Sequence, residues 1–171
     1  MLIEVSYDAR LPQSQPTRQQ IEALQASMLP IQSAIPEAAH YFAPGMYGRE
    51  LALKAGTVIV GKIHKHGHLM LCTKGRATVV DEFGRYEVAA GFMQASKPGA
   101  KRVVHCHEDT TFVTVHLNPT DTEDLTAIEA AHIQPESPET QALMAQFRIS
   151  QTDASGHERT LTDAKGREVL Q

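Results

Sequence analysis

The chain has 171 residues, a formal net charge of -4, a hydrophobic fraction of 42% and two cysteines. That is enough apolar material for one core and too little chain for two well-filled domains. Mild acidity with scattered Lys and Arg argues against nucleic acid as a partner. No apolar run approaches the roughly 20 residues that cross a bilayer, and the opening Met1-Leu-Ile-Glu-Val lacks the basic-then-apolar order of a signal peptide. A soluble, intracellular protein without nucleic-acid or membrane partners is expected.

Taken in order, residues 1–46 read as an arm and a helix. Pro12, Pro16 and a Gln/Ser stretch mark the arm. Thr17 with Gln20 fits a capping box, and Ile21, Leu24 and Met28 recur at helical spacing until Pro30. The apolar stripe of that helix needs a cover, either the sheet that follows or a sister subunit. Pro30, Pro36 and Pro44 punctuate a linker into a packed segment, Tyr41 to Tyr47.

Residues 47–117 change to short runs of β-formers, parted by turn residues every ten positions or so. Eight strands are predicted, near 47–54, 57–64, 67–73, 76–81, 85–89, 92–96, 101–107 and 111–117. The intervening turns leave no room for crossover helices, so the expected fold is mainly β, a single small jelly-roll barrel. Residues 118–149 then read as a helical extension. Thr120 with Glu123 predicts a helix over 121–133, and Ser137 before Pro138 starts another with Leu143, Met144 and Phe147 as its stripe. In residues 150–171, Thr152-Asp-Ala-Ser-Gly156 recurs as Thr162-Asp-Ala-Lys-Gly166, a ten-residue repeat with turn chemistry. It is either a miniature β-meander that needs a docking surface or a polar tail.

The chemistry-bearing stretch is Gly61-Lys-Ile-His64-Lys-His66-Gly-His68. Histidines at alternate positions of a strand point to one face. A second His-rich run, Val103-Val-His105-Cys-His107, follows about forty residues on, and His116 shares a face of the last strand with Phe112 and Thr114. Imidazoles gathered from several strands suit a divalent metal such as Zn, Fe, Ni or Mn. The candidate ligands are His64, His66, His68, His105, His107 and His116. If they face inward, clustered neutral imidazoles without a metal leave donors and acceptors unpaired; if outward, nothing needs explaining. Cys72 and Cys106 read as buried free thiols, Cys106 being a minor candidate ligand. Lys101 and Arg102 are rim charges that can bind a carboxylate or phosphate, Arg bidentately. Glu108 and Asp109 read as turn formers. No phosphate loop, nucleophile elbow or Cys-x-x-Cys pair is present.

Residues 47–117 resemble the two-motif core of the cupin superfamily. His64-Lys-His66 can supply that family's His-x-His pair and Gly75 its glycine, while His68 stands where the motif glutamate is expected. Gly91, Pro98 and Gly99 resemble the second motif, with His105 and His107 arriving late. His40-Tyr-Phe-Ala-Pro-Gly-Met-Tyr-Gly-Arg-Glu-Leu51, Thr73-Lys-Gly75, Lys97-Pro-Gly-Ala-Lys-Arg102 and His107-Glu-Asp-Thr110 are similar to small cupin-like proteins of bacteriophage and prophage genomes, where Gly67 replaces a common glutamate. The resemblance implies a homo-oligomeric accessory or virion-assembly protein that binds a divalent metal in its barrel. Phage structural proteins would be its partners, and it would reside in the host cytoplasm or the virion. The alternative is a metal-dependent cupin enzyme, a dioxygenase, isomerase or lyase, acting on a small anion that Lys101 or Arg102 orients.

Overall fold

The structure, a computed structural model, describes residues 15–28 and 37–149, apart from the side chains of residues 143 and 146–149. Most of the N-terminal arm, the Pro30–Pro36 linker and the ten-residue repeat lie outside the described residues. Helix α1 spans Arg18–Met28. Its capping box forms: the Thr17 amide donates to Gln20 Oε1 at 2.8 Å, and the Gln20 amide to Thr17 Oγ1 at 3.3 Å. The helix buries Ile21 and Ala26 rather than the whole expected stripe, and Leu24 is exposed. It packs against the last helix instead of against a sheet.

The strands are β1 (Ala38–Ala43), β2 (Gly45–Leu53), β3 (Val58–Val60), β4 (Ile63–His64), β5 (His68–Lys74), β6 (Arg76–Asp81), β7 (Gly84–Ala89), β8 (Met93–Ser96), β9 (Val103–Cys106) and β10 (Thr110–Asn118). After them come α2 (Leu125–His132), the short strand β11 (Ile133–Gln134) and α3 (Pro138–Ile149). Every pairing is antiparallel. One sheet runs β1-β2-β10-β5-β8, a second runs β3-β9-β6-β7, and β11 pairs with β4. The two large sheets close on a core of Leu53, Met70, Cys72, Ala77, Val79, Val88, Val104, Cys106 and Phe112. This is the mainly β jelly roll expected from the strand spacing. Alternation decides what each strand buries: Phe112, His116 and Asn118 of β10 face in, while Leu117 faces out.

Three differences bear on the site. The segment Tyr41–Tyr47 is not a mere packed prelude, because β1 pairs along its whole length with residues 46–51 of β2. The strand expected at 57–64 is split, since Val58–Val60 joins β9 and Ile63–His64 joins β11. The helix expected at 121–133 starts later. Asp121, at φ 49°, spends its carboxylate on the Gly45 amide at 2.6 Å, so Asp124 becomes the cap and accepts from the Thr126 amide at 2.9 Å. Ser137 caps α3 as expected, its Oγ accepting from the Thr140 amide at 3.1 Å.

The turn at Gly75 joins the two sheets and requires glycine. Its φ is +76°, and a Cβ there would lie 2.3 Å from Asp109 O and 2.8 Å from Thr110 Cα. Among the described residues no helix is long and apolar enough to cross a membrane.

Candidate metal centre

On the inward side of the five-stranded sheet, β10 carries in turn Phe112, Thr114 and His116. Phe112 pairs with Cys72 and belongs to the core. Thr114 pairs with Arg49 and Met70, in a more polar layer. His116 pairs with Tyr47 of β2 and marks the histidine layer. On the other side of β10, β5 begins with His68, and β4 contributes His64 from beyond the bend at residues 65–67.

The ring centroids of His64 and His68 are 4.1 Å apart, those of His68 and His116 4.7 Å, and those of His64 and His116 5.1 Å. One ring nitrogen from each lies within 4.8 Å of the others. Two nitrogens bound to one ion at about 2.1 Å can be at most about 4.2 Å apart, so the widest gap closes with a small ring movement. Burial, followed by the proximity of His68 and His116, pushes His64 down to about 3. Burial, followed by His68 and His132, does the same to His116. His68 is also lowered, chiefly by burial, against an opposing backbone hydrogen bond at His66. The cluster is therefore a set of neutral imidazoles at physiological pH, the protonation state a metal ligand needs. Three close neutral imidazoles with free lone pairs fit a divalent ion, and His64, His68 and His116 would hold it.

A fourth imidazole comes from the C-terminal extension. His132 ends α2, and its ring centroid is 4.9 Å from that of His116. Its Nδ1 is buried without a hydrogen-bond partner. The backbone holds it there: the Lys65 amide donates to His132 O at 2.8 Å, and the Lys65 ammonium to Ala130 O at 2.6 Å. No sequence spacing links residue 132 to residue 64, so the sequence carries no local signal that marks His132 as a neighbour of the site.

The other sequence candidates lie elsewhere. His66 sits exposed in the bend, near His132 but outside the trio. The bend interrupts the strand, so the alternate-position argument holds for neither side of it. His105 pairs with Thr78 and lies in the outward phase of the four-stranded sheet, because its neighbours Val104 and Cys106 fill the core. His107 reaches Thr78 Oγ1 at 2.7 Å, and that hydroxyl donates to Glu87 Oε1 at 2.6 Å. Cys106 is a buried free thiol in the core.

Lys101 is completely buried, and its ammonium donates to both carboxylate oxygens of Glu136, at 2.6 and 2.9 Å. Arg102 faces Asp81 at 3.4 Å. Both cations are therefore engaged with carboxylates and are not free at the barrel mouth. Arg49 is different. It alternates in phase with Tyr47, Leu51 and Leu53, pairs across the sheet with His40 and Thr114, and is half-buried. Among the described residues it makes no hydrogen bond or ion pair, yet its charge is felt at Tyr47 and His116. Beside it, the Tyr47 hydroxyl meets His40 Nδ1 at 2.7 Å.

The barrel and its inward imidazole cluster define an antiparallel jelly roll with a three-histidine site able to hold a metal ion. No family model matches the sequence, and no curated protein does. Among solved structures the chain is similar to a cupin 2 conserved barrel domain protein from Salinispora arenicola. Identity is 15%, the match covers 68% of this chain and 88% of that one, and the TM-score is 0.43. It is also similar to ectoine synthase from P. lautus, at 20% identity over 59% of this chain and 78% of that one, with a TM-score of 0.45. A substituted oxalate decarboxylase from B. subtilis matches at 19% identity over 64% of this chain and 32% of that one, with a TM-score of 0.45. The likeness concerns the fold alone, and it lends no support to a phage origin or a virion role.

Proposed function

We propose that this protein binds one divalent metal through His64, His68 and His116 and presents it to a small anionic ligand, a carboxylate or phosphate, oriented by Arg49. The observation that carries the reading is the meeting of three imidazoles, His68 and His116 buried and His64 half-buried, with His64 and His116 held near a pKa of 3. A bound divalent ion would supply Lewis acidity to a ligand oxygen. The residues of the chain do the rest. Arg49, the half-buried cation with no partner among the described residues, offers a planar fork to the anion. The Tyr47–His40 pair lines the same layer, where a hydroxyl hydrogen bonded to an imidazole can hold or pass a proton. In this reading the anion-binding role expected of Lys101 and Arg102 passes to Arg49. A metal-dependent enzyme acting on a small anion is thereby favoured over the accessory or assembly role, which no feature of the site favours.

The test is calorimetric titration of chelator-stripped protein with Zn²⁺, Mn²⁺ and Ni²⁺, followed by phosphate or malonate. One ion per chain is expected, with binding abolished in His64→Ala and His68→Ala. Arg49→Met should keep that stoichiometry and weaken the anion at least tenfold. Absence of stoichiometric metal in the wild type refutes the reading, and unchanged anion affinity in Arg49→Met removes Arg49 from it.

A further inference from the structure

The C-terminal extension meets the metal centre at two adjacent residues. Ile133 of β11 pairs with His64, and β4 has no other strand partner among the described residues. His132, the last residue of α2, brings its ring to 4.9 Å from that of His116, within the 4.1–5.1 Å spread of the trio itself. Its electrostatic influence reaches all three strand-borne rings. Its Nδ1 is shut off from solvent and has no hydrogen-bond partner among the described residues. A buried ring nitrogen left unpaired is costly, and a bound ion is one of the groups that satisfies it. The contacts that hold the segment in place do not use the ring. The Lys62 ammonium meets Glu129 at 2.5 Å, and Lys65 reaches His132 O and Ala130 O.

We propose that His132 is a fourth ligand of the ion held by His64, His68 and His116, which ties the C-terminal extension to the barrel through the metal site. The proposal rests on the metal-binding reading above and adds to it a ligand from outside the barrel. His66, the other histidine beside His132, sits exposed in the bend, edge-on at 6.1 Å, and is not one of the trio. His132 itself stands outside the set of rings whose nitrogens lie within 4.8 Å of one another. Ligation therefore draws the end of α2 toward the barrel. A turn of the ring, or a shift at the junction where α2 passes into the extended Ile133, at φ -101° and ψ 130°, supplies the approach. Coupling of this kind is reciprocal: whatever factor a docked extension adds to metal affinity, bound metal adds to docking. Lys101 gives a handle on docking from a distance. Its buried ammonium holds Glu136, two residues past β11, and it is no part of the histidine cluster.

Hydrogen exchange of the chelator-stripped full chain, read by mass spectrometry with and without saturating Zn²⁺, tests this. Amides of residues 125–134 are expected to exchange at least fivefold more slowly with Zn²⁺. In His132→Ala at saturating Zn²⁺, that protection should vanish while peptides covering β5 and β10 keep theirs. Calorimetry supplies the reciprocal arm: Lys101→Met should weaken Zn²⁺ at least fivefold although Lys101 is not a ligand. If that variant fails to fold, the exchange data on the wild type and His132→Ala decide alone. One Zn²⁺ bound per chain with unchanged exchange in 125–134 overturns the proposal and leaves the three-histidine site standing. Equal protection of 125–134 in His132→Ala overturns it as well, by removing His132 from the coupling. No stoichiometric Zn²⁺ in the wild type overturns the metal-binding reading and this proposal with it.

Discussion

Replacing Lys101 with methionine tests how the C-terminal extension is locked to the barrel. The ammonium is wholly buried, and the side chain of its partner Glu136 is 19% exposed. Glu136 lies two residues beyond β11, the strand that pairs with His64. After the substitution Glu136 loses two charge-assisted bonds and keeps one from Gln25 Nε2, at 3.3 Å. Removing one member of a buried pair costs about 3–5 kcal/mol. Partial exposure and the Gln25 bond let Glu136 recover some solvation, so about 2–4 kcal/mol is expected for Lys101→Met. For a domain of this size that lowers Tm by about 5–15 °C. The second substitution, Glu136→Leu, removes the stranded charge and should bring the double variant within about 1 kcal/mol of wild type. Urea unfolding of all three proteins, with the slope checked for constancy, supplies the numbers. A loss below 1 kcal/mol in Lys101→Met, or no recovery in the double variant, refutes the reasoning.

Gly75→Ala should destabilise by at least about 3 kcal/mol, because a left-handed backbone and a 2.3 Å approach to a carbonyl oxygen act together; failure to express as folded protein, or a large drop in Tm, is the expected result. The histidine cluster also predicts a pH dependence. The folded pKa values of His64 and His116, about 3, lie below the unfolded value of 6.5, so the unfolded chain takes up protons first. Stability of the metal-free protein should therefore be flat above pH 7 and fall from about pH 6.5 toward 3, by up to about 1.4 kcal/mol per pH unit for each histidine. Urea midpoints at pH 7, 6 and 5 check this, and His116→Phe should flatten the curve. His132→Ala, which removes an imidazole beside the trio, should weaken Zn²⁺ by about 10-fold or more while leaving one site per chain. An unchanged affinity would confine the site to the three strand-borne histidines.

Local periodicity is what made the barrel legible. Turn residues at short intervals and alternating β-formers placed β2 and β5 to β10 within a few residues of where they lie, because each strand's boundaries depend on nearby chemistry. The shared phase of Phe112, Thr114 and His116 follows from the two-residue repeat of a strand, whereas His64 and His68 meet across a bend that no strand period predicts. Contacts between distant parts of the chain decided the rest. A bend with β4 paired to β11 took His66 out of the comb, and the core's claim on Val104 and Cys106 turned His105 outward. Partners 35 and 21 residues away, Glu136 and Asp81, engaged the cations that looked free in sequence. Arg49 and His132 gained their place at the centre from strand pairings that no local spacing encodes. Amino-acid order by itself determined a jelly roll with several histidines on its strands, without the face they point to, since strand period and turn chemistry act over a few residues. Only the tertiary structure decided which imidazoles meet and which cation remains unpaired, since burial and charge pairing are properties of neighbours brought together by folding.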